Sequence, residues 1–270
     1  MEAAPRLAPG IPADYYVRIH RFEQHHFWYR RMREMVPAFV GDRLLEPGVS
    51  VLDAGCGTGG FLRWVLDANP RASVAGADIG ADAIDLARTR VPEAELEAVP
   101  VSALPFADER FDVVVTKDVL QHVPEDEVQL SLHQIYRVLK PGGILFLHTN
   151  GSRSLRRERH DWRAYDISTV RRELDSAGFR CERITYANFA LSLWATLRGR
   201  LPHAPTETTD GVPLRDPARL VRTVGDFVLG MEVRWLRRPT ATLPYGHTIL
   251  CLASKPTASG VPAVPLRVEA

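Results

Sequence analysis

Apolar positions between Val49 and Thr149 fall into two alternating rhythms. The runs VSVLDA (49–54), SVAGADI (73–79), ELEAV (95–99), FDVVVTK (111–117) and GILFLHT (143–149) are short and largely continuous. VSVLDA and FDVVVTK lack the every-other-residue pattern of a half-exposed strand and read as strands of a parallel sheet covered on both faces, and SVAGADI, the short ELEAV and GILFLHT read as the other strands. The stretches between them have helical spacing. Thr58 is placed to cap a helix through Asp67, and Asp82 to Arg90 forms a second. Pro124-Glu125-Asp126-Glu127 opens a third, with proline near its start and acids in its first turn, which runs to Leu139 and is stopped by KPGG. Strands alternating with helices predict right-handed crossovers and an α/β, Rossmann-like doubly wound sheet.

The flanks follow a different grammar. Residues 1–13 are rich in proline and alanine and read as frayed. Asp14 to Val40 is helical and crowded with aromatics (Tyr15, Tyr16, Phe22, Phe27, Trp28, Tyr29), and Pro47-Gly48 makes a turn. After Asn150 come a basic loop, SRSLRRERHDWRAY, a helix from Ser168 to Ala177 closed by Gly178, and two further strands in FRCERITYANF and HTILCLASK. Between those strands lie helical segments at 189–197 and 218–238. The chain thus divides into an N-terminal aromatic helical segment (1–45), a Rossmann-like domain (46–188 and 244–255), a helical insert or cap (189–243) and a tail (256–270).

Composition narrows the function. In 270 residues the net charge is +1, so no strong field recruits nucleic acid. Cys56, Cys181 and Cys251 are far apart in sequence and show neither metal spacing nor a disulfide framework, which points to a reducing cytoplasm. The opening MEAAPRLAPGIPADYY has no apolar core of a signal peptide, and no run approaches the roughly 18 apolar residues of a membrane span.

The chemistry concentrates in VLDAGCGTGG. Gly55, Gly57 and Gly60 satisfy G-x-G-x-x-G, a dinucleotide pattern, while Asp53, Gly55, Gly57 and Gly59 satisfy D-x-G-x-G-x-G. Asp53 separates the two. A carboxylate in this turn repels a pyrophosphate but attracts the ammonium of a sulfonium nucleoside's amino-acid tail. Asp78, ending the second strand, is suited to a ribose diol in either case.

With VLDAGCGTGG, GADIG, LPFADERFDVVVTKDVLQHVP and RVLKPGGILFL in this order, the chain resembles the class I S-adenosylmethionine-dependent methyltransferases, in their type 11/12-like branch. The resemblance covers about residues 22–185 and the strand at 245–254, and it implies a seven-stranded sheet whose reversed last strand inserts beside the fifth. It implies S-adenosyl-L-methionine as cofactor, S-adenosyl-L-homocysteine as product, and contacts from Asp53, Gly55, Gly57, Gly59, Asp78, Ile79 and Asp118. HFWYRRMRE resembles an aromatic-arginine helix of one branch, in which Trp28 would cover the sulfonium and Arg30 would hold the methionine carboxylate; His25 and His26 read as rim residues. Relatives often carry Gly-Asp before LPF to meet the adenine amino group. Pro100 stands there in this chain, leaving adenine to the Val101 N–H and to packing by Val101 or Leu104. Lys117 receives no role.

Three histidines are candidate bases: His122, matched by a catalytic histidine in some similar O-methyltransferases, His148 at the end of the fifth strand, and His160 beside Asp161. Tyr165 reads as an anchor for its loop. In the insert, Phe189, Leu193 and Leu197 recur at helical spacing, as do Leu220, Val224, Phe227, Met231 and Trp235, with arginines 198, 200, 219, 222, 234, 237 and 238 alongside. A cap over an apolar acceptor is favoured over plain packing, and membrane-surface contact ranks last. The expected function is methyl transfer to an oxygen, second to a nitrogen, of a small or medium organic molecule or a modified peptide in natural-product biosynthesis. A cyclase or decarboxylase that keeps the cofactor without transferring its methyl is the alternative, a non-catalytic module a third reading, and a homodimer stays open.

Overall fold

The computed structural model describes residues 14–151, 164–198 and 218–257; the expectations for the first 13 residues, for the loop bearing His160 and Asp161, for Arg200 and for the tail beyond 257 lie outside them. Among the described residues, seven strands form one sheet: β1 (Ser50–Ala54), β2 (Ser73–Asp78), β3 (Glu95–Ala98), β4 (Phe111–Lys117), β5 (Leu139–Asn150), β6 (Arg180–Ala187) and β7 (Thr248–Ser254). Their order is β3-β2-β1-β4-β5-β7-β6. β7 runs antiparallel to both neighbours and is buried along its whole length. The apolar runs, the doubly wound order and the reversed strand beside β5 are therefore as the sequence predicts.

Among the described residues, eight α-helices surround the sheet: α1 (Tyr15–Phe22), α2 (Phe27–Val40), α3 (Gly60–Ala68), α4 (Ala81–Arg90), α5 (Val128–Val138), α6 (Ile167–Ser176), α7 (Phe189–Arg198) and α8 (Arg219–Leu236). Alternate strand residues feed two cores. Val51, Val113, Val115 and Phe146 face α2, α3, α4 and α8, while Leu52, Val114, Leu145 and Cys251 face α5 and α6. Asp53, Lys117 and His148 share the parity of the first set, which brings their side chains toward one end of the α2–α3 face.

Several local expectations are corrected. The predicted N-terminal helix is two helices, because residues 23–26 leave the helical path and His26 caps α2, its Nδ1 accepting the Trp28 N–H at 3.3 Å. His26 is buried rather than at the rim. Thr58 does not cap α3; Gly59, in the left-handed region (φ 81°), precedes that helix and Thr58 turns its hydroxyl to Glu23. KPGG does not merely stop α5: it lies inside β5, where the Gly142 N–H donates to Lys255 O at 2.8 Å. Cys181 and Cys251, 70 positions apart, meet across β6 and β7 as free thiols with sulfurs 3.6 Å apart.

The stripe read from α8 is its outer row. Leu229, Val233 and Leu236 pack inward, and Gly225 admits Phe27 of α2, where a Cβ would come within 2.7 Å of its ring. Leu220, Val224, Phe227, Met231 and Trp235 are all exposed, from 46% to 74%. The helix carries two adjacent apolar rows, and the glycines at 225 and 230 decide which can approach α2 closely.

Candidate active site

The site grows from the turn after β1. Gly55 (φ 92°), Gly57 (φ 51°) and Gly59 (φ 81°) all lie in the left-handed region, which side chains rarely adopt. A Cβ at Gly55 would collide with Val119, and one at Gly59 would meet Ala87 at 3.2 Å. The loop is held against β2, with the Gly55 and Cys56 N–H groups donating to Ala77 O at 2.7 and 2.9 Å. Asp78 locks it from the side: one carboxylate oxygen accepts the Gly57 N–H at 2.8 Å, and the other accepts the Gly80 N–H at 2.9 Å. Tyr16 of α1 reaches over, its hydroxyl 3.5 Å from the same carboxylate. Burial raises the pKa of Asp78 against the opposing pull of these donors. Burial also drives the Tyr16 phenol far up, aided by the Asp78 charge. Ile79 sits half-buried between Asp78 and Gly80.

Asp53 is fully buried, and neither of its oxygens has a hydrogen-bond partner among the described residues. Among the described residues its charge is answered by Lys117 alone, whose Nζ stands 3.5 Å from Oδ2 as an ion pair just beyond good hydrogen-bond length. Burial pushes the Asp53 pKa up to about 6, with Lys117 pulling down and Asp78 pushing further up. A buried carboxylate without hydrogen bonds, beside a backbone bared of side chains, fits an ammonium-bearing ligand tail, so the donor set suits S-adenosylmethionine.

The N-terminal helices are latched onto this loop. Glu23 receives the Thr58 hydroxyl and pairs with Arg90. Arg90 also donates to Thr58 O at 2.9 Å and to His20 O at 2.6 Å, while Arg33 donates to the carbonyls of Glu23 and Gln24. This cluster was not anticipated. Its only sequence signal, an acid in an otherwise aromatic-basic stretch, is indistinct before the fold brings residue 23 to residue 58. Arg30, expected at the methionine carboxylate, has its guanidinium on Asp226 of α8 at 2.5 Å, an acid shared with Arg31 where α8 packs on α2. Trp28 is half-buried and stacks on His247, ring centroids 5.9 Å apart, just before β7.

At the end of β4 the chain turns sharply through Asp118, which is itself left-handed (φ 55°). Its N–H donates to His148 O at 3.0 Å, and its Oδ1 lies 3.1 Å from His148 Nδ1. Gln121 donates to the same oxygen at 3.3 Å and receives the Thr149 hydroxyl at 2.9 Å. Burial alone would raise the Asp118 pKa, but His148, His122 and Gln121 outweigh it and hold the carboxyl at about 2. His122 also lowers the Asp78 pKa, so its ring sits within electrostatic reach of both acids. The 3-10 turn bearing it (Leu120–His122) is pinned by the buried Tyr165, whose hydroxyl donates to Leu120 O at 3.2 Å. Tyr165 is thus an anchor.

On the adenine side, Pro100 leads into a 3-10 turn (Val101–Ala103). Val101 and Leu104 are both buried in the α5-side core. Among the described residues there is no cluster of metal-ligating side chains, and no helix is long and apolar enough to cross a membrane.

Known proteins place the chain in a family. The methyltransferase-domain family matches residues 51–143. Malonyl-acyl-carrier-protein O-methyltransferase of Enterobacter lignolyticus is 31% identical over 192 residues, covering 66% of this chain and 73% of that protein. The chain spans about half the length of further curated relatives, among them a ubiquinone biosynthesis O-methyltransferase of Chelativorans that is 34% identical over 139 residues, 48% of this chain and 53% of that protein. The solved phosphoethanolamine N-methyltransferase 2 of Haemonchus contortus, in complex with S-adenosylmethionine, shares the fold at TM-score 0.60 and 17% identity, over 91% of this chain and 58% of that one. The chain belongs to the class I S-adenosylmethionine-dependent methyltransferases. It is an enzyme that uses S-adenosylmethionine.

Proposed function

We propose that the chain transfers the methyl group to an oxygen atom, second to a nitrogen, of a small or medium organic acceptor or a modified peptide, in natural-product biosynthesis in the cytoplasm. The carrying observation is the group at the ends of β4 and β5, with Asp118 at 3.1 Å from His148 and His122 in electrostatic reach of Asp118. The bound cofactor supplies a methyl carbon already activated by its sulfonium. The protein's tasks are alignment, exclusion of water and, for a hydroxyl acceptor, removal of a proton. His122 takes that proton at its ring nitrogen. The carboxylate of Asp118 stays ionised and stabilises the imidazolium so formed, and His148 holds Asp118 in place. The O-methyltransferase relatives support oxygen as acceptor. The insert 189–243 is the cap. Glu232 accepts the N–H groups of Asn188 and Phe189 and so fixes the start of α7. The exposed Leu193, Trp194, Phe227 and Met231 give the cap an apolar surface for an apolar acceptor.

Methyl-labelled cofactor, offered with hydroxyl, carboxyl and amine acceptors, tests this reading. Label on oxygen is the expected result and label on nitrogen is the second choice. Conversion without label would replace transfer by a cyclase- or decarboxylase-type reaction, and unchanged rates in all of His122→Ala, His148→Ala and His160→Ala would remove the base.

A further inference from the structure

Every arginine that the N-terminal helix α2 brings toward the site is already committed. Arg30 is on Asp226, Arg31 on Asp226 and Glu34, and Arg33 on backbone carbonyls of residues 23 and 24. The cofactor's amino-acid tail nevertheless carries a carboxylate beside its ammonium, and a carboxylate at the ends of buried strands needs a cation.

We propose that Lys117 is that cation, and that Asp53 and Lys117 form a two-point clamp for a zwitterion, Asp53 taking the ammonium and Lys117 the carboxylate. The inference rests on the cofactor assignment and is independent of the acceptor. Asp53 pairs in register with Val115 on the adjacent parallel strand, so Lys117, two residues on, leaves the sheet on the same face. Its Nζ lies 3.5 Å from Asp53 Oδ2 and 4.6 Å from the centre of the Phe61 ring. The ring and the acid hold the ammonium without saturating it: no hydrogen bond to Nζ is made by any described residue, and the side chain is 19% exposed. Three N–H donors are therefore available for a carboxylate. A neutral pair of opposite charges is complementary to a neutral zwitterion. Each partner exchanges one ion pair at 3.5 Å for a hydrogen-bonded one, so no net charge enters or leaves the buried turn. A lysine that served only as counter-ion to Asp53 would do the reverse, competing with the incoming ammonium.

The two roles predict opposite signs. Titration calorimetry is carried out with S-adenosylhomocysteine, with its decarboxylated analogue, which keeps the ammonium, and with methylthioadenosine, which lacks the tail. The expected result is that Lys117→Met weakens S-adenosylhomocysteine at least tenfold while leaving the other two within about twofold. Unchanged or tighter binding of S-adenosylhomocysteine by the variant would overturn the clamp. If Lys117→Met does not fold, the parent protein alone decides: a tenfold preference for S-adenosylhomocysteine over its decarboxylated analogue supports the clamp, and equal affinities sink it. Failure of the parent to bind any of the three would overturn the cofactor assignment instead, a separate result.

Discussion

His148 Nδ1 stands 3.1 Å from Asp118 Oδ1, and Asp118 reaches it from a backbone bent into the left-handed region. Asparagine tolerates that conformation nearly as well as aspartate, so Asp118→Asn removes the charge and keeps the turn. The folded pKa of about 2 lies below the ordinary 3.8, so this carboxylate adds stability above pH 4 that is lost as pH falls through about 2. With its side chain 59% exposed, solvent screens that contribution to under about 1 kcal/mol. Turnover of labelled methyl should fall about 100-fold in the variant, while its unfolding midpoint at pH 7 barely moves.

Asp53 gives the opposite pH dependence. Its folded pKa of about 6 exceeds the ordinary 3.8, so the ligand-free protein is favoured below pH 4 and loses that advantage as pH rises through 6, by about 3 kcal/mol. Ligand binding needs the ionised form. Affinity for S-adenosylhomocysteine should therefore climb between pH 4.5 and 6.5 and then level off, a window set by Asp53 with Lys117 and Asp78 as its charged neighbours. Calorimetry across that range on the parent and on Asp53→Asn checks it, the variant showing a flat and weak profile.

The Glu23–Arg90 pair ties α1 and α2 to the glycine turn, and both partners are about nine-tenths buried. Arg90→Met leaves an uncompensated buried acid and should cost about 3 kcal/mol, lowering Tm by roughly 6–12 °C in a chain of this size. Limited proteolysis should then cut near residues 23–26 in the variant before it cuts the parent.

On α8, inner and outer rows should respond differently. Leu229→Ala, at a fully buried position, should cost about 2–5 kcal/mol in denaturant unfolding. Phe227→Ser, at a position 66% exposed, should change stability by less than about 0.5 kcal/mol and instead raise the KM for an apolar acceptor.

The strands were legible because a sheet covered on both faces demands continuous apolar runs. FDVVVTK is β4 to the residue, and the glycine turn was marked by Asp53 with Gly55, Gly57 and Gly59, which the structure holds in the left-handed region. What escaped the sequence are pairings made only by tertiary approach. Nothing local links Glu23 to Thr58, Arg30 to Asp226 or Lys117 to Asp53. Which row of α8 packs inward was not legible either, because two adjacent apolar rows satisfy the same helical period, and only the approach of Phe27 to Gly225 selects between them.

The placement of β7 has a consequence for how the chain is made. Residues 248–254 supply the strand between β5 and β6, so a growing chain that has already emitted β1 through β6 still holds two unpaired edges with a strand-wide gap between them. Such an intermediate invites foreign strands and cannot close its own hydrophobic layers. The sheet therefore closes only once residues 248–254 have left the ribosome, whatever has folded before them, and a chaperone shielding those edges should raise the yield of folded enzyme.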